Sequence, residues 1–313
     1  MIDLAPIVRA QARLAAYLQP TPLEDAPTLG PNIWLKLEQT NRTHAFKIRG
    51  ALNALLTLDA AARQRGIVTA SSGNHAQGVA YAAQLTGVAA RIFMPQTTPQ
   101  RKIEGVRRYN AHTDLSASIY DEAENAALQF VAESGATFIS PYNDARVIAG
   151  AGTIGLEISA ALPQVARVIV PVGGGGLISG IAVALKHLHP GIDVVGVNVD
   201  SAPDMYNFFY QLDLPTPYTT VADALPGAIE PGSITLDLTR RYVDRIVLVT
   251  EAALLAAMRW LLAQGWVVEG GGAVGVAALQ SGLIPADRPT VIVLSGGNVD
   301  LATLRRVLNE CAG

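Results

Sequence analysis

A single cysteine, Cys311, stands in the 313 residues, so no disulfide closes within one chain and no cysteine-built zinc cluster is available. Excess charge is equally scarce. The 23 Lys and Arg against 26 Asp and Glu leave a formal charge of −3, a field too weak to favour nucleic acid or an anionic membrane as partner. Residues 1–14 hold no basic region followed by an apolar block, so no secretory leader is expected and a reducing cytoplasm fits. The uncharged run 168–185 reaches membrane-spanning length, but Pro171 and four central glycines would cripple a spanning helix, and it reads as buried in protein. There is no internal repeat and no low-complexity tail.

Half the residues are hydrophobic, ample for burial, and the length favours two lobes sharing one active site over one compact core. The chain is organised around the stretch 167–185: Val-Ile-Val-Pro-Val, then Gly173 to Gly176, then Leu-Ile-Ser-Gly-Ile-Ala-Val-Ala-Leu. The first part reads as a strand buried on both faces and the last as a buried helix. Four residues without Cβ atoms let the backbone turn tightly and expose successive N–H groups, to which the helix adds its own N–H groups and the positive end of its dipole. Such a turn cradles a phosphate. The blander alternative, a flexible connection, needs fewer glycines.

Further strands are expected at 33–37, 66–70, 90–94, 137–139, 194–197, 245–250 and 290–294, and helices at 7–18, 45–56, 79–85, 121–134, 153–161, 177–187, 251–263 and 301–311. Alternating strands and helices indicate an α/β fold of two open, mostly parallel, twisted sheets. Residues 1–58 with 146–313 form the expected large lobe and 66–138 the small one, with ligands beyond the carboxyl ends of strands. The stretch 200–233, rich in proline and aromatics, shows no clean period and reads as a substrate-facing loop or an interface arm. Its aromatic part, 206–218, points to a homodimer.

Lys47 opens a helix beside Phe46. A lysine is ordinarily a solvated surface group, but at a loop-to-helix junction near apolar groups and the cation Arg49, its amine is lowered toward a usable nucleophile. The turn Ser71-Ser-Gly-Asn74 at the end of strand 66–70 offers donors for ligand oxygens, unless Ser72 or Asn74 simply caps the helix. A lysine, an anion cup and further small-residue turns at strand ends are the set that pyridoxal phosphate requires.

The ordered motifs Ala-Phe-Lys-Ile-Arg-Gly-Ala, Ser-Ser-Gly-Asn-His-Ala-Gln-Gly, Gly-Gly-Gly-Gly-Leu and Ser-Gly-Gly-Asn resemble those of the threonine dehydratase and serine racemase family of fold type II pyridoxal phosphate enzymes, which are tryptophan synthase β-like in fold. The resemblance implies that Lys47 bonds the cofactor with Phe46 beside its ring, and that Asn74 meets the ring oxygen. It also implies that Gly173, Gly174, Gly175, Gly176 and Leu177 hold the phosphate, and that Ser295 faces the ring nitrogen. Ser71, Ser72, Gly73 and His75 would surround the substrate carboxylate, with Lys47 and Ser72 as the catalytic pair. The implied reaction is dehydration and deamination of a β-hydroxy-α-amino acid such as L-threonine or L-serine by an ammonia-lyase. The alternative is a serine-type racemase in which Ser72 handles the proton on the second face.

Three departures from the family pattern stand out. His44 replaces a glycine and either faces solvent or reshapes the pocket. Asn198 replaces a glutamate in members that bind a divalent cation, leaving Asp204 and the Ala202 carbonyl as candidate ligands, so no metal is expected. Glu230 lies in a divergent segment, as a specificity residue or a surface charge. No regulatory domain is expected beyond residue 301.

Overall fold

The computed structural model describes residues 2–309; Cys311 and the end of the expected helix 301–311 lie outside them. Ten strands run in chain order: β1 (Leu23–Asp25), β2 (Ile33–Leu37), β3 (Ile67–Ala70), β4 (Ala90–Pro95), β5 (His112–Ala117), β6 (Thr137–Phe138), β7 (Arg167–Pro171), β8 (Asp193–Val199), β9 (Arg245–Val249) and β10 (Thr290–Leu294). They form a six-stranded sheet in the order β1-β2-β10-β7-β8-β9 and a four-stranded sheet in the order β5-β4-β3-β6. Only the β1–β2 pair is antiparallel among them. Central strands are sealed on both faces, as in Arg167–Pro171 and Thr290–Leu294, which is why their sequences are unbroken apolar runs rather than alternating ones.

β5 escapes the sequence reading for the opposite reason. It is a sheet edge whose burial is mostly partial, so His-Thr-Asp-Leu-Ser-Ala needs no apolar run. The helices Ala60–Arg65, Gln100–Arg107, Asp204–Tyr210 and Ile234–Tyr242 are likewise too short or too polar to show a clear period. Helix Ala145–Ala161 begins well before the expected residue 153, with the side chain of Asp144 capping it.

Parallel pairing sets the site. β10 and β7 run side by side, with Thr290 opposite Arg167 and Ile292 opposite Ile169, so the turns that leave them, at Ser295 and at the glycines, emerge at the same edge. Behind that edge three helices pack backbone to backbone: Lys47–Leu56, Ala145–Ala161 and Gly176–Leu188. A Cβ on Gly150 would strike the carbonyl oxygen of Arg49, and one on Gly180 the carbonyl oxygen of Ile148.

The helix that begins at Lys47 is anchored by a buried charge network. Arg49, 2% exposed, donates Nε and Nη2 to the two oxygens of Glu38 at 2.8 and 2.9 Å, and Nη1 and Nη2 to Glu157 at 2.5 and 2.9 Å. Lys36 completes it with Nζ on Glu157 at 2.5 Å and on the Thr21 carbonyl at 2.7 Å.

Candidate active site

Lys47 is the first residue of helix Lys47–Leu56. Just before it, the Phe46 N–H donates to the Ser295 carbonyl at 3.0 Å and Ala45 bridges Gly296, which ties the helix start to the turn after β10. The Lys47 amine donates to the Pro141 carbonyl at 2.8 Å and stands 5.1 Å from the centre of the Phe46 ring. Burial lowers its pKa to about 8, against a smaller opposing pull from Glu269.

The glycine turn has no room for side chains. A Cβ would lie 2.7 Å from the Leu225 carbonyl at Gly173, 2.5 Å from the Tyr142 ring at Gly174, 2.6 Å from Met205 at Gly175 and 3.0 Å from the Tyr142 backbone at Gly176. Gly175 also has φ +86°, a left-handed conformation that suits glycine, and it begins helix Gly176–Leu188 without any side-chain cap. Leu177 follows, buried. The first N–H groups of the helix are therefore available to an anion.

The second turn is resolved in the same sense. Gly73, not Ser72 or Asn74, is the N-cap of helix Asn74–Thr86, and the cap supplies no side-chain hydrogen bond to the first turn. Ser71 Oγ accepts from the Gly73 N–H at 3.3 Å, and Ser72 sits half-buried between them. His75 turns inward: it is 2% exposed, its Nε2 lies 3.0 Å from the Ile139 carbonyl, and burial lowers its pKa to about 3, keeping it neutral. Its side chain is thus committed to the segment after β6.

Asn74 joins a trio that sequence reasoning missed in part. Its Nδ2 donates to Glu269 at 2.6 Å, and its Oδ1 accepts from Asn298 Nδ2 at 2.9 Å. Burial, reinforced by the charge of Asp223, pushes Glu269 up to about 7. The available signal was an acidic residue between an apolar pair and three glycines, in Val-Val-Glu-Gly-Gly-Gly. Tyr142 gave no comparable signal. Alongside, Arg101 donates to the Val299 carbonyl at 2.9 Å and Lys102 pairs with Asp223 at 2.8 Å, drawing the small sheet's helix Gln100–Arg107 onto the large-sheet side. Ser295, buried, opens the turn that Phe46 holds.

Asn198 occupies an internal bridging role. Its Nδ2 donates to the Val172 carbonyl at 2.5 Å and its Oδ1 accepts from the Tyr206 N–H at 3.0 Å, so one amide staples the approach to Gly173 onto helix Asp204–Tyr210. Asp204 accepts from the Tyr218 hydroxyl at 2.8 Å, and Ala202 is buried. Among the described residues, no group of three or more His, Cys, Asp or Glu could hold a metal ion. Removing magnesium or calcium with a chelator is expected to change the melting temperature by less than about a degree, because Asn198 leaves a hard-cation site short of one carboxylate. A saturable rise of several degrees on adding either ion would contradict this. His44 is exposed with φ 54°, so it faces solvent and holds a conformation that is mildly unfavourable for a residue with a Cβ.

Comparison with known proteins identifies relatives of the chain. The sequence pattern of the family described as pyridoxal-phosphate dependent enzyme matches residues 14–296. The L-threonine ammonia-lyase of Thermotoga maritima is 44% identical over 317 residues, covering 99% of this chain and 79% of that one. Maize serine racemase superposes with a TM-score of 0.90 at 34% identity, covering 99% and 97% of the two chains. Threonine deaminase isoform 2 of Solanum lycopersicum, in its processed form, gives 0.89 at 34%, covering 100% and 90%.

Proposed function

Since the chain belongs to the pyridoxal-phosphate dependent enzyme family, we propose that it removes water and then ammonia from a β-hydroxy-α-amino acid, L-threonine foremost, to leave a 2-oxo acid. The observation that carries this is the Lys47 amine, lowered to about 8, close to an uncapped glycine turn and to the Asn74 trio. In this reading Lys47 bonds the cofactor, with Phe46 beside its ring. The N–H groups from Gly173 to Leu177 would hold the phosphate, Asn74 the ring oxygen and Ser295 the ring nitrogen. The fit is supported by a cradle that any Cβ would crowd and by donors that no side-chain cap consumes.

When bound, the cofactor supplies an electron sink for negative charge at the substrate Cα. Lys47 takes the Cα proton at Nζ, as a base whose pKa lies near neutrality. Ser71, Ser72 and the backbone around Gly73 and His75 hold the substrate carboxylate at a helix N-terminus, where negative charge is favoured. The β-hydroxyl leaves as water, the released enamine tautomerises to an imine, and one water molecule then hydrolyses that imine to ammonia and the 2-oxo acid. Residues 1–58 and 146–313 act as the cofactor lobe and 66–138 as the small lobe. Exposed Tyr210, Leu212, Leu214 and Tyr218 support a homodimer through the stretch 206–218, and a cytoplasmic location is part of the same reading. No helix among the described residues is long and apolar enough to cross a membrane.

The test is a panel of L-threonine, L-serine, D-serine and 3-hydroxyaspartate followed by 2-oxo acid release. L-threonine is expected to give the highest kcat/KM, and no release from any of the four would refute the proposal. The likeness to maize serine racemase favours one second reading, racemisation with Ser72 as the opposite-face acid or base. For a dehydratase, Ser72→Ala should cost about 1.5–3 kcal/mol in transition-state binding of L-substrates, one hydrogen bond to a charged group. Turnover of D-serine should fall further, by roughly a hundredfold or more. Equal losses for both enantiomers would remove the racemase mechanism.

A further inference from the structure

Glu230 belongs to a loop that the expected chemistry leaves unused, yet it is bonded to the segment that holds Lys47. The carbonyl receiving the Lys47 amine is that of Pro141. The next residue, Tyr142, accepts the Glu230 N–H on its phenol oxygen at 3.1 Å, and the one after, Asn143, donates Nδ2 to Glu230 Oε2 at 2.7 Å. Asn143 Oδ1 accepts the Ile234 N–H at 3.1 Å, so both flanks of the loop are pinned. The ring of Tyr142 lies against Gly174 and its backbone against Gly176. A carboxylate is thus fixed two residues along the chain from the lysine's partner and beside the ring that covers the glycine turn.

A second carboxylate lies within electrostatic range of Glu230. Helix Tyr120–Ser134 carries Glu124, and the Tyr120 hydroxyl reaches the carbonyl of Ala70, next to Ser71, at 3.4 Å. Burial first, and then the charge of Glu230, raise Glu124 above its ordinary range. Tyr142 is raised to about 12 by burial and by the same carboxylate, which outweigh the Glu230 N–H bond. The strongest charge effects on Tyr120, Glu124 and Tyr142 all come from acidic or phenolic groups.

We propose that Glu230, with Glu124 on the opposite lobe, makes the substrate side-chain region electronegative and discriminates against amino acids whose side chain carries a carboxylate. The α-amino and α-carboxyl groups are common to all substrates, so selection by side-chain charge falls to whatever fixed charge lies beyond them. A like charge approaching the half-buried Glu230 is repelled where screening by water is incomplete.

This inference rests on the amino-acid reading of the site. The test uses the pyridoxal phosphate-loaded enzyme and equilibrium binding of L-aspartate, L-2-aminobutyrate and L-2,4-diaminobutyrate, which differ in side-chain charge and lack a β-hydroxyl leaving group. Dissociation constants come from cofactor absorbance, checked by calorimetry. Glu230→Gln retains an oxygen for Asn143 and removes only the charge. It is expected to lower the ratio of the L-aspartate to the L-2-aminobutyrate constant by about tenfold, and to raise the corresponding ratio for L-2,4-diaminobutyrate. Glu124→Gln should move both ratios in the same directions by less. Constants that shift in parallel for all three ligands would overturn the charge-selection proposal alone. A wild-type enzyme that binds none of them would overturn the amino-acid reading and this proposal with it.

Discussion

Lys47→Ala is expected to lose 2-oxo acid formation from L-threonine by roughly 10³-fold or more, since one side chain is asked to bond the cofactor and to move the Cα proton. The structure explains why this amine is suited to both tasks. It is drawn from water against Phe46 and the Pro141 carbonyl, and burial brings its pKa to about 8. About one amine in ten is then neutral at pH 7, against about one in three thousand at the ordinary value of 10.5. The variant should still bind pyridoxal phosphate weakly through the glycine turn, read by fluorescence titration of the apo-protein. It should lack the absorbance band that covalent attachment gives. Full turnover by Lys47→Ala would refute the assignment.

Arg49→Leu should produce the largest loss of stability, about 3–5 kcal/mol, because it strands two buried carboxylates that one lysine cannot balance. For a chain of this size that is a fall in Tm of about 5–8 °C. Arg49→Lys should recover little of it, since an ammonium cannot reproduce the two-pronged contact with Glu38. The pH dependence identifies the cause. Burial alone would raise the Glu38 carboxyl, but the Arg49 guanidinium, joined by smaller pulls from Lys36 and Thr21, offsets burial and holds it below 4.5. A group lowered in the folded state contributes stability that is present above its unfolded pKa and lost as pH falls through the folded one. In Arg49→Leu the burial effect stands with less opposition and the Glu38 contribution is reversed. The gap in Tm between wild type and variant should therefore widen from about pH 4 to pH 7. A gap independent of pH would mean that packing rather than charge is lost.

The parts of the site visible in the sequence are those whose chemistry sits in one short run. Four adjacent glycines can be read without a structure, because a turn with no space for Cβ atoms excludes every other residue. Lys47 is legible beside Phe46 for a similar reason. Glu269 was not, because it meets Asn74 across 195 positions, and an acidic residue before glycines reads as an ordinary helix start. Tyr142 is recognised only once the segment after β6 is seen lying on the glycine turn. In the fold, buried parallel strands announce themselves by unbroken apolar runs. The edge strand β5 and the two-turn helix Asp204–Tyr210 depend on neighbours for their stability, and a local pattern records that dependence poorly. The replacement at Asn198 was visible as a missing carboxylate. Its amide bridge between Val172 and Tyr206 was not, since both partners are backbone groups.

The contacts of Gly150 and Gly180 leave no side chain between the three helix backbones that run from Lys47 to the glycine turn. Main chain has few ways to adjust, whereas a leucine or methionine at such a junction could change rotamer and let the two ends drift. The interval between the amine and the turn therefore works as a ruler with rigid divisions. An aldehyde tethered to Nζ would seat its anionic end only if its own length matched that interval, so homologues one carbon shorter or longer are expected to bind the protein more weakly in a fluorescence titration, whatever their charge.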